Sequence, residues 1–372
     1  MQLEQAAETM RSTLIEAGRG LVEREFLLEL VVLAAVAGEH LLVIGPPGTA
    51  KSAAVRRVSS ALGGEYFEYL LGRFTEPGEI FGPIDLRRLR EGALETDTTG
   101  MLPEADIVFL DEVFLGSTAI LNTLLGILNE RVFRRGRTQT ACPLRICVAA
   151  SNALPTEAAL AAFADRFLVR AFVDAVPDTR IEDLLELPTE TPEIKGEQRA
   201  TPVSLKLLDV LGQARRQVDA SAITAGLAEG IRLLRARGIW LSDRRIVKIK
   251  QLIAAAAVLA GRSNATTADL WALLYAIPTA EEQDEARETL RDLLEPAENS
   301  CVPSAAEDAS QGMRARAEAL LRAGTEALER PADGPGEQLR REGILREIDA
   351  AFGEAIPEEL RDVREKLTAG MD

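Results

Sequence analysis

The stretch HLLVIGPPGTAKSAAVRRV, residues 40–58, constrains this chain more than any other feature. A short apolar run ends at Gly45, a Gly/Pro-rich loop follows, and a helix-forming segment opens at Lys51. That order of strand, loop and helix is how a backbone is arranged to hold phosphate. Loop N–H groups and the helix N-terminus point at the anion, a Lys reaches its outer oxygens, and a hydroxyl serves Mg²⁺. The loop GPPGTAKS departs from the G-x-x-x-x-G-K-[ST] pattern at one position, where Ala50 replaces glycine. Alanine adds one methyl, which is mild at negative φ and costly at positive φ. A working loop is therefore expected to show a negative φ at Ala50.

An independent sign stands about 60 residues downstream. DIVFLDEVF, residues 106–114, is a continuous apolar run closed by Asp111 and Glu112, as expected of a strand buried on both faces. Nucleotide hydrolysis needs a strand-end carboxylate for the metal shell and a base for the attacking water. A third strand, LRICVAASN (144–152), ends on Asn152, whose amide suits the orientation of that same water.

Further elements alternate around these. Residues 12–39 read as one or two helices, 65–71 as a second strand, 117–133 and 157–167 as helices, and 168–173 as a fifth strand. Strand and helix alternating over 40–173 predict an α/β fold with a mainly parallel five-stranded sheet in a three-layer αβα core. The segment 72–105, rich in Gly, Pro and Thr, holds at most a short helix or hairpin. After VPDTR (176–180) the strand signal stops. LPTETPEIKGEQRATPVS (187–204) reads as a linker, 204–277 as several helices, and 281–372 as a further helical segment interrupted by RPADGPGEQ (330–338). The expected domains are 1–185, 200–280 and 281–372.

Charge and composition remove several classes of function. The chain carries 43 basic and 59 acidic side chains, a net of −16, and the last 92 residues hold 24 of the acids but only 12 of the bases. A phosphate-coating nucleic-acid role is disfavoured. The single histidine, His40, excludes multi-His metal sites and is read as a loop residue. Three cysteines without C-x-x-C spacing fit a reducing compartment, and the first residues show no secretion signal. The apolar stretches 26–38 and 251–261 are too short to span a bilayer. The expectation is a cytoplasmic chain with no stable membrane insertion.

Together these stretches resemble an AAA+ ATPase of the MoxR family, nearest to its RavA-like (regulatory ATPase variant) subgroup. The resemblance rests on GPPGTAKS, RFTEPGEIFGPIDL, LPEADIVFLDEVF, ILNTLLGILNERVFRRG, VAASNALP, ALAAFADRF and LSDRRI, spread across residues 20–250. In that subgroup alanine precedes the loop lysine, so Ala50 is what the resemblance implies. It also implies an α-helical lid after the core, followed here by a C-terminal helical module. RavA-like proteins insert a small β-rich domain within the helical part, and nothing β-like follows residue 338.

The resemblance assigns roles by position, with ATP and Mg²⁺ as cofactors. Gly45, Pro46, Pro47, Gly48, Thr49, Ala50, Lys51 and Ser52 would form the nucleotide loop. Lys51 would contact the β/γ-phosphates, and Ser52 with Asp111 would hold Mg²⁺, the latter through water. Glu112 would be the catalytic glutamate and Asn152 sensor 1. Arg166 would be the arginine finger acting on a neighbouring subunit, with Arg170 as the alternative. Arg244 would be sensor 2, with Arg245 as the alternative. Leu21 and Val22, in GLVEREF, would line the adenine pocket.

A finger acting in trans implies a homo-oligomer, in this family usually a hexameric ring, and a von Willebrand A-domain protein as partner. The implied function is ATP-driven remodelling, maturation or regulation of that partner, chaperone-like in kind. The alternative is a nucleotide-gated scaffold or component of a multi-protein defence or regulatory complex; a DNA motor is less favoured. Arg134, Arg135 and Arg137 in the segment 131–140 would face a pore or partner, or simply solvent on a β-turn.

Overall fold

A computed structural model describes residues 3–187, 203–329, 335–353 and 356–369. The sequence-expected linker (187–204) and the 330–338 interruption fall largely outside them. Among the described residues there are seven strands: β1 (Leu41–Ile44), β2 (Tyr66–Leu70), β3 (Ile107–Asp111), β4 (Val132–Arg135), β5 (Thr138–Ala141), β6 (Ile146–Ser151) and β7 (Val169–Phe172). Five form a wholly parallel sheet in the order β2-β3-β6-β1-β7, while β4 and β5 make a separate antiparallel hairpin.

Two-residue periodicity explains the layers. On β1, Leu41 and Val43 point to one face and Leu42 and Ile44 to the other. The same split divides Ile107 and Phe109 from Val108 and Leu110 on β3. The first face is covered by helices Leu3–Gly18, Glu25–Ala37 and Lys51–Leu62; the second by Thr118–Glu130 and Ala158–Ala164. The central strands β1, β3 and β6 are buried almost throughout and are correspondingly apolar up to their last residues, Asp111 on β3 and Ser151 on β6. Edge strand β2 is half-exposed, which is why YFEYL tolerates a charge in its middle.

The first core continues into helices Val203–Arg215, Thr224–Ala236 and Asp243–Leu259, and into the 3₁₀ segment Thr267–Ala276 that buries Trp271 and Tyr275. Arg245 is the most buried polar tie between this helical layer and the sheet. Arg245, 2% exposed, pairs with Asp165 at 2.6 Å and donates to the carbonyls of Phe167, Leu168 and Ala276 at 2.9, 3.0 and 2.6 Å. Replacing it with alanine strips the Arg245 donor from the Leu168 and Ala276 carbonyls and the partner from Asp165, while the Phe167 carbonyl keeps its bond from Arg170. Arg245→Ala is expected to destabilise the chain by about 2–4 kcal/mol, visible as a lowered midpoint in denaturant unfolding.

His40 lies in the connection just before β1, as the sequence suggests, but it is not a solvated loop residue. It is 3% exposed at the entrance to β1. The Cys147 N–H donates to its Nδ1 at 3.0 Å, so Nε2 carries the proton and donates to the Leu128 carbonyl at 3.1 Å. Burial, reinforced by the neighbouring Arg131, pushes its pKa well below 6.5, and the ring stays neutral. It extends the β1–β6 ladder where a backbone bond is missing.

The long helix Pro303–Glu329 begins in the main core through Ala305, Ala306 and Ala309. The Glu29 carboxylate accepts from the Ala305 N–H at its first turn, at 2.6 Å. The helix ends about 40 Å further on in a separate cluster with Pro335–Phe352 and Glu358–Ala369, built on Leu320, Ile344, Ile348, Leu360 and Leu367. Among the described residues no strand follows Phe172, so the helical C-terminal module reads as expected.

Candidate functional site

The carboxyl ends of three neighbouring strands carry the chemistry. β6 lies between β1 and β3, and the registers Ile44↔Ser151 and Leu110↔Ala149 bring Gly45, Asn152 and Glu112 to one level. With strands about 4.8 Å apart, the loop after β1 and the carboxylates after β3 lie about 10 Å from each other. Asn152 bridges that gap, its amide donating to Glu112 Oε1 at 2.5 Å. Asp111 accepts from the Glu112 N–H at 3.0 Å, which turns the chain sharply at the strand end.

The loop is built for close approach of a ligand. A Cβ on Gly45 would meet the Val173 carbonyl at 2.1 Å, so only glycine fits there. Pro46, Pro47 and Gly48 are exposed, and the Thr49 hydroxyl closes the turn on the Pro46 carbonyl at 2.9 Å. Lys51, 7% exposed, lays its ammonium on the carbonyls of Gly45 and Pro46 at 2.7 and 2.8 Å. Burial lowers its pKa, opposed by the Asp111 and Glu112 carboxylates. A buried cation held only by neutral carbonyls beside open loop amides is the donor set a phosphate completes. Ser52, half-buried in the first helical turn, and Asp111 are the oxygen groups suited to Mg²⁺.

Ala50 contradicts the expected negative φ. It is left-handed, at φ 58° and ψ 24°, and forms the N-cap of Lys51–Leu62. The conformation is what aims the loop amides inward ahead of a right-handed helix. The frame survives it, since the Ala50 carbonyl still accepts the Ala54 N–H at 3.0 Å. The strain is local, about 1–2 kcal/mol for an L-residue in this region. Ala50→Gly is therefore expected to raise stability by about 1 kcal/mol, after allowing for glycine's greater unfolded-state freedom. Thermal unfolding checks the sign.

Ala50 is not alone. Among the described residues, non-glycine positive φ occurs at Glu23 (57°), Ala50 (58°), Glu112 (49°) and Arg131 (56°). Arg131 ends a helix; the other three surround the strand ends just described. Strain gathered in this way marks a site whose geometry is held by its surroundings.

Sequence reasoning missed Arg24. Its guanidinium, 4% exposed, donates to the Thr49 carbonyl and to the Asp174 carbonyl, each at 2.8 Å. It clamps the segment 20–26 between the loop and the end of β7. The charge inside GLVEREF was the available signal. Val22 is buried and Leu21 half-buried on that clamped segment, beside the loop.

The arginines divide into two sets. Arg170 is 3% exposed and donates to the carbonyls of Ala164 and Phe167 at 2.6 and 3.3 Å. Burial, with Arg245 nearby, lowers its pKa to about 9. Arg170 and Arg245 are thus both committed to holding the fold. Arg166 is half-exposed and, among the described residues, its side chain makes no hydrogen bond or ion pair. Arg244 is half-exposed and donates to Asn129 Oδ1 at 2.8 Å.

Neither Arg166 nor Arg244 reaches the loop of its own chain. Both flank the Arg245–Asp165 pair at the amino end of β7, which runs parallel to β1 with Leu41 opposite Val169. The loop lies at the other end of those strands, about 20 Å away. In the hairpin, Arg134 pairs with Glu130 at 2.5 Å, Arg135 donates to the Gly82 carbonyl at 3.0 Å, and Arg137 is exposed.

A parallel sheet ordered 2-3-6-1-7, a phosphate loop after β1, acids after β3 and an amide after β6 define a P-loop protein of the AAA+ class. The profile described as "MoxR domain in the MoxR-vWA-beta-propeller ternary systems" matches residues 8–211, and that of an AAA lid domain matches 207–290. The chain belongs to the MoxR family of AAA+ ATPases.

Two uncharacterized proteins of Methanocaldococcus jannaschii are 37% and 36% identical over 250 residues, 67% of this chain. The matched part spans 64% and 66% of their own length, just under two thirds. The chaperone MoxR1 of Mycobacterium tuberculosis is 26% identical over 192 residues, half of each chain. A crystal structure from Cytophaga hutchinsonii, described as that of a candidate ATPase, shares the fold with a TM-score of 0.60 at 14% identity. It covers 80% of this chain and 98% of its own. No helix among the described residues is long and apolar enough to cross a membrane.

Proposed function

We propose that this chain is an ATP-hydrolysing AAA+ subunit that works in a homo-oligomeric ring, of the hexameric kind usual in its family, on a protein partner. The observation that carries the reading is the Asn152–Glu112 hydrogen bond beside the Lys51 loop. It sets a base and an amide across the space where a terminal phosphate would meet its water. Lys51 exchanges its carbonyl acceptors for phosphate oxygens, Glu112 takes the proton of the attacking water, and Asn152 holds that water in line. Ser52 and Asp111 would hold Mg²⁺, which supplies neutralisation of the charge growing on the phosphates. Leu21 and Val22 would receive the adenine.

The remoteness of Arg166 and Arg244 from their own loop favours service to a neighbour's nucleotide. Arg245 nails both residues into one rigid edge, so finger and sensor 2 would arrive together on the next subunit's site. The proposed organisation is a core over 1–185, a lid over 200–280 and an acidic helical domain over 281–372. The partner reading, a von Willebrand A-domain protein, is supported by the description of the matched family, and a chaperone-like role by the MoxR1 relative. Alanine before the loop lysine supports the RavA-like subgroup, without its inserted β-rich domain.

The test is phosphate release from ATP by the purified chain. Mg²⁺-dependent turnover is expected, and Lys51→Gln should reduce it by about 10²–10³-fold through loss of phosphate stabilisation. Turnover indifferent to Lys51 or to Mg²⁺ would sink the proposal.

A further inference from the structure

At the opposite end of β1 from the phosphate loop lies a second polar cleft, of about 520 Å³. It is bounded by the end of helix Glu25–Ala37, the entrance to β6, and helix Val203–Arg215. Four arginines line it: Arg131 and Arg145 from the core, Arg215 and Arg216 from the helical layer. Only two lining residues are acidic, Glu39 and Asp209, in a chain whose net charge is −16. Glu39 is already paired with Lys248, while Arg145 pairs with Asp209 at 3.0 Å and with Asp106.

Arg215 and Arg216 keep unspent donors, and Arg145 keeps its Nε. The Nε atoms of Arg145 and Arg215 are buried and have no hydrogen-bond partner. Arg215 otherwise donates to Gln251 at 2.5 Å. Arg216 is exposed and makes no side-chain hydrogen bond or ion pair among the described residues. Arg131 spends its guanidinium on the carbonyls of Leu128 and Gly38, at 3.0 and 3.2 Å. Burial lowers the pKa of Arg131, and burial together with Arg216 lowers that of Arg215. Buried donors left unmet, beside clustered like charge, are destabilising unless an anion is supplied.

We infer that this cleft binds a small, multiply charged anion of the pyrophosphate class. The anion would sit between Arg145 and the Arg215–Arg216 pair and tie the Val203–Arg215 helix to the sheet. The volume admits more than one phosphate group, and guanidinium forks suit adjacent phosphate oxygens. The site is separate from the one that holds ATP in the proposed function and does not depend on that proposal.

The probe is inorganic pyrophosphate, titrated calorimetrically into the full chain carrying Lys51→Gln, so that the phosphate loop is disabled. One equivalent is expected to bind. Adding Arg216→Gln, an exposed substitution that leaves the unliganded melting temperature unchanged, should weaken Kd by about tenfold. Adding Arg215→Gln as well should abolish binding. No binding by the Lys51→Gln chain, or binding unaffected by the two arginine substitutions, overturns the inference.

Discussion

Glu112→Gln is expected to lower ATP turnover by about 10²–10⁴-fold while leaving ATP binding nearly intact, the signature of a lost general base. The substitution keeps the size of the side chain and its hydrogen bond with Asn152, since the glutamine oxygen accepts from the same amide. It removes only the capacity to take a proton. The left-handed backbone at Glu112, φ 49°, is unchanged, so the base position is preserved and the barrier alone moves. Single-turnover hydrolysis against nucleotide-binding titration separates the two quantities. Asn152→Ala should give a smaller loss, because water orientation and not proton transfer is removed. A Glu112→Gln chain that turns over at the parental rate would exclude Glu112 as the base.

Arg166→Ala is expected to cost about 10³–10⁵-fold in turnover, the range seen when an arginine finger is withdrawn. The loss should come without loss of fold, because Arg166 is half-exposed and its side chain has no intramolecular partner among the described residues. The contrast with its neighbours is the informative part. Arg170 and Arg245 are buried and donate to two and three carbonyls respectively, so their removal should lower the melting temperature first and turnover only as a consequence. Paired thermal unfolding and turnover on the three variants distinguish a finger from a strut. Arg166→Ala that melts early with proportionate loss of activity would place it with the struts.

Much of this was legible in the residues, and the exceptions have physical causes. Strands buried on both faces announced themselves as unbroken apolar runs, LLVI, IVFL and ICVAA, and their terminal Gly45, Glu112 and Asn152 follow once the runs are placed. What linear sequence does not hold is which strand lies between which. That β6 separates β1 from β3, and so brings Asn152 onto Glu112, is a property of the crossovers.

Ala50 was misjudged because residue identity fixes only the cost of a left-handed φ. Whether the surrounding loop imposes that φ is decided by tertiary contacts. His40 falls in the connection before β1 as expected, but its burial was not legible, because the Cys147 N–H and Leu128 carbonyl that satisfy it are 107 and 88 residues away. The arginine alternatives could not be separated by spacing. Only burial tells Arg166 from Arg170, or Arg244 from Arg245.

The central claim, that each hydrolytic site takes its loop from one copy and its arginine from the next, is tested most directly by mixing two inactive chains. Lys51→Gln chains carry an intact Arg166, and Arg166→Ala chains carry an intact loop. If random assembly forms rings, an equimolar mixture contains some interfaces where an intact loop meets an intact arginine. The account predicts that each variant alone is silent and that the mixture recovers up to about a quarter of the parental Mg²⁺-dependent turnover. A mixture as silent as its components, under conditions where the parental chain is active and subunits exchange, would contradict it.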